Sequence, residues 1–270
     1  MKIKLVTDIE GVAGVINAED WTRPESKYYE VGKELLTKEV NAAIDGFFAA
    51  GAERVVVIDG HGPGAINGLM LDPRAELQRG FGKYRWPMDM DDDYDAVAWV
   101  GQHPKASTEF GHLCHTQAYD VIDCSINGIS VGEFGQFMFV CQQFGMVPIF
   151  ASGCVAFTKE AEALAPGIET VAVKQGLMEG TGVECDYDAY RSRNHAAIHK
   201  SPEVARKLIR EGAERALRRF IEHPETFNPT KISPPYTRTY VCRPKDGKPG
   251  FTNTVTHPTN FSAMMNISSR

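Results

Sequence analysis

No two of the six cysteines (Cys114, Cys124, Cys141, Cys154, Cys185 and Cys242) stand close enough to form a C-x-x-C. In a chain of 270 residues, cysteines so scattered read as buried, reduced thiols of a cytosolic protein, not as a disulfide frame. No apolar run approaches the roughly 20 residues of a membrane span. The N-terminus enters Ile3-Lys4-Leu5-Val6 directly, with no signal-peptide core or small-residue cleavage site. There is no excess of positive charge either: 29 Lys and Arg face 35 Asp and Glu, and the formal net charge of -6 argues against a nucleic-acid or anionic-membrane binder. There is no internal repeat and no low-complexity tract. The glycine-rich segment Gly60-His61-Gly62-Pro63-Gly64 lacks the Gly-Lys-Ser/Thr ending of a phosphate loop, and no Gly-x-Ser-x-Gly elbow marks a serine nucleophile.

What is present suits a folded soluble domain. Hydrophobic residues make up 43% of the chain and charged ones 24%, enough for one large core or a large and a small domain. Lys2 to Thr7 reads as a strand. Pro24 to Gly51 reads as an amphipathic helix with Tyr28, Val31, Leu35, Val40, Ile44, Phe47 and Phe48 inward. Arg54 to Asp59 is a β-branched run buried on both faces, so strand, helix and strand make a parallel crossover unit. Leu69 to Leu77 suggests a helical turn, and Tyr94 to Gln102 a third strand. Further strands are expected at 146–151 and 169–174 and helices at 132–145 and 159–164. Ser201-Pro202-Glu203 opens a capped helix carrying Val204, Leu208, Ile209, Leu217, Phe220 and Ile221 inward. Tyr236 to Cys242 and Phe251 to His257 alternate like a hairpin. The expected fold is α/β: a parallel, Rossmann-like sheet over residues 1–185, then a smaller α+β domain over 186–270.

Three of the predicted parallel strands end in acid or imidazole beside glycine: Asp8-Ile9-Glu10-Gly11, Gly60-His61-Gly62 and Gly101-Gln102-His103. Asp8 and Glu10, two apart, share a face. Ligands of open α/β sheets bind outside the C-terminal strand ends. A single loop histidine is usually satisfied by backbone, but the placement repeats three times. Carboxylate and imidazole donors without thiolate suit zinc, manganese, iron or cobalt, and two ions require a bridging carboxylate. Other clusters carry less. His195 and His199 lack the glutamate of a zincin helix, Asp89 to Asp93 lacks the glycine and terminal glutamate of a calcium loop, and Cys114 reads as a buried small residue. If 111–116 is extended, Cys114 and His115 face opposite ways.

Taken together, Asp8-Ile9-Glu10-Gly11, Asp59-Gly60-His61, Gly101-Gln102-His103, Cys114-His115, Gly132-Glu133-Phe134-Gly135 and Ala172-Val173-Lys174-Gln175 resemble the zinc D-aminopeptidase family of the bacterial dipeptide-transport operon, over roughly residues 1–230. The resemblance implies a two-zinc site in which Asp8 bridges, Glu10 and His103 hold one ion, and His61 and Glu133 hold the other. It puts the nucleophile or base at His115, the substrate among short peptides with a free N-terminus, and the subunits in a ring-like homo-oligomer such as a decamer. Family members usually continue past the last hairpin, whereas this sequence ends soon after Phe261 to Met265. Two competing readings keep the ligands: a hydrolase of non-peptide amides, and a silent metal-binding scaffold. A spare imidazole at His115 argues against the scaffold, since a structural site needs none.

Overall fold

A computed structural model describes residues 1–80, 82–87, 90 and 93–268. Its first half contains β1 (Lys2–Thr7), α1 (Ala18–Trp21), α2 (Tyr29–Ala49), β2 (Arg54–Asp59), β3 (Glu76–Gln78), β4 (Ala96–Gln102), β5 (Val121–Ile126) and β6 (Ile129–Ser130). There follow α3 (Glu133–Gln142), β7 (Val147–Cys154), α4 (Val155–Leu164), β8 (Glu169–Gly176), α5 (Tyr187–Arg193), β9 (Ala197–His199) and α6 (Pro202–Glu222). The chain closes with β10 (Tyr236–Cys242), β11 (Phe251–His257) and α7 (Phe261–Met265). Among the described residues no helix is long and apolar enough to cross a membrane.

Seven strands form a sheet in the order β3-β2-β1-β4-β7-β8-β9, parallel except for β9. The chain winds outward from β1 in one direction and from β4 in the other, so the topological switch lies between these two strands. Their alternation builds a core on each face. Ile3, Leu5, Ala96, Ala98 and Val100 pack with α2 and α6, while Val6, Val97 and Trp99 pack with α3, α4 and the small sheet. Side chains such as Phe47, fully buried edge-on against Phe150, each stabilise the fold by roughly 1.5–3 kcal/mol.

The second sheet is antiparallel, in the order β11-β10-β5-β6. Asn127 and Gly128, both left-handed (φ 49° and 81°), supply the tight turn between β5 and β6. The large parallel sheet and small second layer agree with the expected fold class, but the expected division at residue 185 cuts across both sheets. β5 and β6 precede that boundary yet pair with β10, and β9 and α6 follow it yet pack on β8 and α2.

Local differences have local causes. Residues 24–28 form turns, and α2 begins at Tyr29 with Gly32, Leu36, Val40, Ala43 and Phe47 inward. Tyr28 and Val31 are exposed, because Gly32 brings the helix against the Trp21 carbonyl, where a Cβ would sit at 3.0 Å. Glu76–Gln78 is not a helical turn but an edge strand beside β2. Ser201 caps α6 by accepting from the Val204 amide as expected, although Val204 and Ile221 lie outward.

Candidate metal centre

The C-terminal ends of β1 and β4 are pressed together. The Asp8 amide donates to the Val100 carbonyl at 3.1 Å and the Gly11 amide to the Gly101 carbonyl at 2.7 Å. This contact depends on two glycines. A Cβ on Gly101, which is left-handed at φ 76°, would lie 2.1 Å from the Asp8 carbonyl oxygen, and one on Gly11 would lie 2.2 Å from that of Gln102.

Held there, Asp8 and Glu10 are both buried and turn to the same crevice, as the two-residue spacing predicts. Asp8 reaches in two directions: Oδ1 lies 3.1 Å from His61 Nδ1, and Oδ2 lies 3.2 Å from His103 Nε2. Glu10 Oε2 is 3.4 Å from His61 Nδ1. Glu133, in the first turn of α3, places Oε1 3.6 Å from His103 Nε2 and 3.9 Å from His115 Nε2.

Main-chain carbonyls orient every imidazole. A carbonyl only accepts, so His61 donates from Nε2 to Thr22 O at 2.7 Å, His103 from Nδ1 to Pro104 O at 3.0 Å, and His115 from Nδ1 to Leu113 O at 2.9 Å. The other nitrogen of each ring is thereby aimed at carboxylates. This is the arrangement in which an outer carbonyl fixes a metal-ligating imidazole.

The electrostatics call for positive charge. Burial opposes the charge on His61 and His103, but Asp8, Glu10 and Glu133 outweigh it, lifting His61 well above the usual range and His103 to about 10. Burial likewise opposes ionisation of Asp8, yet its contacts with His103 and His61 hold its carboxyl well below the usual range. Burial first and Asp8 second push Glu10 upward; for Glu133, burial again leads. Among the described residues no lysine or arginine pairs with these three acids. Glu10 Oε2 and His103 Nε2 are buried without a hydrogen-bond partner.

A divalent ion fits this donor set. Adjacent ligands on a tetrahedral zinc stand roughly 3.3 Å apart, close to the distances above. Two overlapping groups, Asp8–Glu10–His103 and His103–His115–Glu133, each gather their donor atoms within 4.8 Å. The resemblance assigns Glu10 with His103 and His61 with Glu133; the shortest contacts instead pair His61 with Glu10 and His103 with Glu133.

His115 lies between His103, stacked at 3.9 Å, and Tyr119, at 4.7 Å. Burial first and the neighbouring His103 second depress its pKa to about 4. Cys114 points elsewhere, among Thr108, Tyr190 and Asn194. Residues 111–116 are nonetheless not extended, because Leu113 adopts φ 52°. His112 donates to Ile16 O beside His199, away from the centre. His199 sits in β9 and accepts from the Gly14 amide, so His195 and His199 share no helix. Of the acidic run, residues 89, 91 and 92 lie outside the described residues, while Asp93 pairs with Lys2 and Arg54.

A cavity of about 800 Å³ opens over the cluster, walled by Thr22, Trp86, Tyr119, Arg238 and Tyr240. Sequence reasoning missed this wall and the roles of Gln102, which donates to Asp8 Oδ2 at 3.2 Å, and Tyr119. Nothing in the linear pattern marks the wall or Tyr119, since the small sheet reaches the cavity only through tertiary packing, and the motif Gly101-Gln102-His103 names Gln102 without its partner.

A doubly wound sheet with buried carboxylates and imidazoles at its switch point defines the class of α/β proteins with a metal-binding crevice. Within it, the family model described as Peptidase_M55, D-aminopeptidase, matches residues 1–245. The chain belongs to this D-aminopeptidase family, and so to the hydrolases of peptide bonds. It is 31% identical over 189 residues to the D-aminopeptidase of Bacillus subtilis (strain 168), covering 68% of this chain and 67% of that one. Its fold matches a solved structure, described as the Zn-dependent D-aminopeptidase DppA from Bacillus subtilis, a self-compartmentalizing protease. The TM-score is 0.83 at 23% identity, over 98% of this chain and 94% of the other.

Proposed function

We propose that the protein is a zinc aminopeptidase that removes N-terminal D-residues from short peptides at a two-ion centre held by Asp8, Glu10, His61, His103 and Glu133. The observation that carries this reading is Asp8, whose two oxygens face two different carbonyl-pinned imidazoles. Bound divalent ions supply Lewis acidity, polarising a peptide carbonyl and acidifying water. Manganese, cobalt and iron suit the same donors.

His115 is the general base. Its Nδ1 proton is committed to Leu113 O, and its depressed pKa keeps Nε2 an open lone pair near neutral pH. At that atom it takes a proton from the attacking water and returns it to the leaving amine. The ring cannot swing away, being sandwiched between His103 and Tyr119. The substrate's terminal amine faces Glu10 and Asp8, which sets the register of the scissile bond. The D-specificity named for both relatives, and the zinc and self-compartmentalizing habit named for the structural one, support a zinc-loaded homo-oligomer with the same preference, and the free cysteines support a reducing, cytoplasmic setting. Metal analysis of the purified protein, followed by rates on matched D- and L-peptides, tests the reading. Two equivalents of metal and faster D-cleavage are expected; no bound metal, or equal rates on both series, overturns it.

A further inference from the structure

The segment that carries Asp8 and Glu10 does not turn straight down into a helix. It crosses the C-terminal edge of the sheet from β1 toward β9, touching Gly101 through the Gly11 amide and His199 through the Gly14 amide. Its carbonyls point at the buried strand ends and need donors there; that of Val12 accepts the Val15 amide at 3.3 Å, while those of Glu10 and Val15 accept from no backbone amide among the described residues. One side chain meets three of them. Lys174 on β8 is buried, and its Nζ donates to Glu10 O at 2.5 Å, Val12 O at 3.0 Å and Val15 O at 3.3 Å.

An ammonium has three protons, and all three are used on main-chain oxygens. Among the described residues Lys174 forms no contact ion pair with a carboxylate, so its hydrogen bonds all go to the loop, and its charge reaches Glu39 and Glu10 only at longer range. Glu10 thus has its side chain in the metal crevice and its carbonyl on Lys174. Moving that carbonyl moves the ligand.

We propose that Lys174 is a positioning residue for the metal centre, fixing the backbone from which Glu10, and through it Asp8, presents its carboxylate. This rests on reading Glu10 as a ligand. A lysine that merely fills the core stabilises the fold without altering the affinity of the folded protein for metal. A positioning lysine alters the affinity and the coordination geometry themselves. Residues that orient metal ligands typically cost 10- to 100-fold in affinity when lost.

The test uses the full-length protein as wild type, Lys174→Met and Lys174→Gln. Methionine keeps the length and loses every donor, whereas glutamine keeps an amide donor. Zinc affinity is measured by chelator competition and coordination by the visible absorption of the cobalt-loaded protein, with circular dichroism confirming the folded state. Lys174→Met is expected to bind zinc at least ~10-fold more weakly, with a shifted cobalt spectrum, and Lys174→Gln to fall between. If Lys174→Met does not fold, Lys174→Gln alone decides by the same two readouts. Wild-type affinity and an unchanged cobalt spectrum in the folded variant overturn the proposal. A wild-type protein that binds no metal overturns instead the ligand reading beneath it.

Discussion

The imidazole of His115 lies flat on that of His103, with centroids 3.9 Å apart and planes within 14°. Two stacked imidazoles this close do not both carry charge at low cost, so the pair divides its work. His103 faces Asp8 and Glu133 and is held as the charged or metal-bound partner, while His115 stays neutral. His115→Ala should therefore keep its metal and lose on the order of 10²-fold or more in turnover, the range for a removed general acid–base. Metal content per chain and kcat on one peptide check this. Loss of one metal equivalent makes His115 a ligand, consistent with its place in the His103–Glu133 group.

Asp8 is the residue whose loss reaches furthest. Its oxygens lie 3.1 and 3.2 Å from different imidazoles, and the Ile9 amide and Gln102 Nε2 hold it in that orientation. Asp8→Ala is expected to abolish activity and release most of the metal, because under the proposed two-ion reading both ions would lose a shared ligand. Elemental analysis after dialysis is the measurement, and two equivalents retained in the variant exclude a bridging role.

Glu39 gives a pH-dependent signature away from the ligands. It is buried on α2, with Oε1 accepting the Ala13 amide at 3.0 Å. Burial pushes its carboxyl from 4.5 to about 7 against the pull of that amide and of Lys174 and Arg206. Between these pH values the folded chain holds a proton that the unfolded chain has released, so stability falls as pH rises. The contribution is full below about pH 4.5 and lost through about pH 7. Glu39→Gln keeps an acceptor and removes the titration. It should gain on the order of 3 kcal/mol over wild type at pH 8 and under about 1 kcal/mol at pH 5. Urea midpoints of the metal-free proteins at both pH values measure the difference; parallel pH dependence in the two proteins refutes it.

Much of the centre is legible in sequence because parallel strands end where their apolar runs end. Thr7, Asp59 and Gln102 close three largely apolar runs, of which that before Asp59 is β-branched throughout, and the residues just beyond them face one crevice. Glu133 and His115 were reached only through family resemblance. Glu133 arrives on a helix whose start is set by Gly132, and His115 on an irregular loop with Ser107, Phe110, Leu113 and Gln117 all at positive φ, a conformation that pattern reading does not anticipate. A division at residue 185 takes no account of β5 and β10, which pair across more than 100 residues, because no local period reports a partner so far away. Side chains that meet backbone show no partner in a motif: Glu39 stands in none, and Ala172-Val173-Lys174-Gln175 names Lys174 without the carbonyls it serves.

The last prediction concerns the substrate's amine. The crevice floor is acidic, with Asp8, Glu10 and Glu133 below a cavity of about 800 Å³, and no lysine or arginine among the described residues neutralises these three acids. A terminal ammonium pairs with a carboxylate there, and a neutral amine offers a lone pair to an ion. Either contact selects which carbonyl lies over the centre, so it contributes to orientation as well as binding. An acetyl group removes both contacts and adds bulk beside Tyr119. A hydrogen bond to a charged group contributes about 1.5–3 kcal/mol, so N-acetyl-D-Ala-anilide should be cleaved roughly 10- to 100-fold more slowly than D-Ala-anilide. The ligand set itself reads no chirality, and a D-over-L preference must come from the cavity wall, where Tyr119, Trp86 and Tyr240 flank the approach. Initial rates of the metal-loaded protein on D-Ala-, L-Ala- and N-acetyl-D-Ala-anilide separate the two effects. Equal rates with and without the acetyl group would make the enzyme a general amidohydrolase instead of an aminopeptidase, because the acidic floor would then be serving the metal alone.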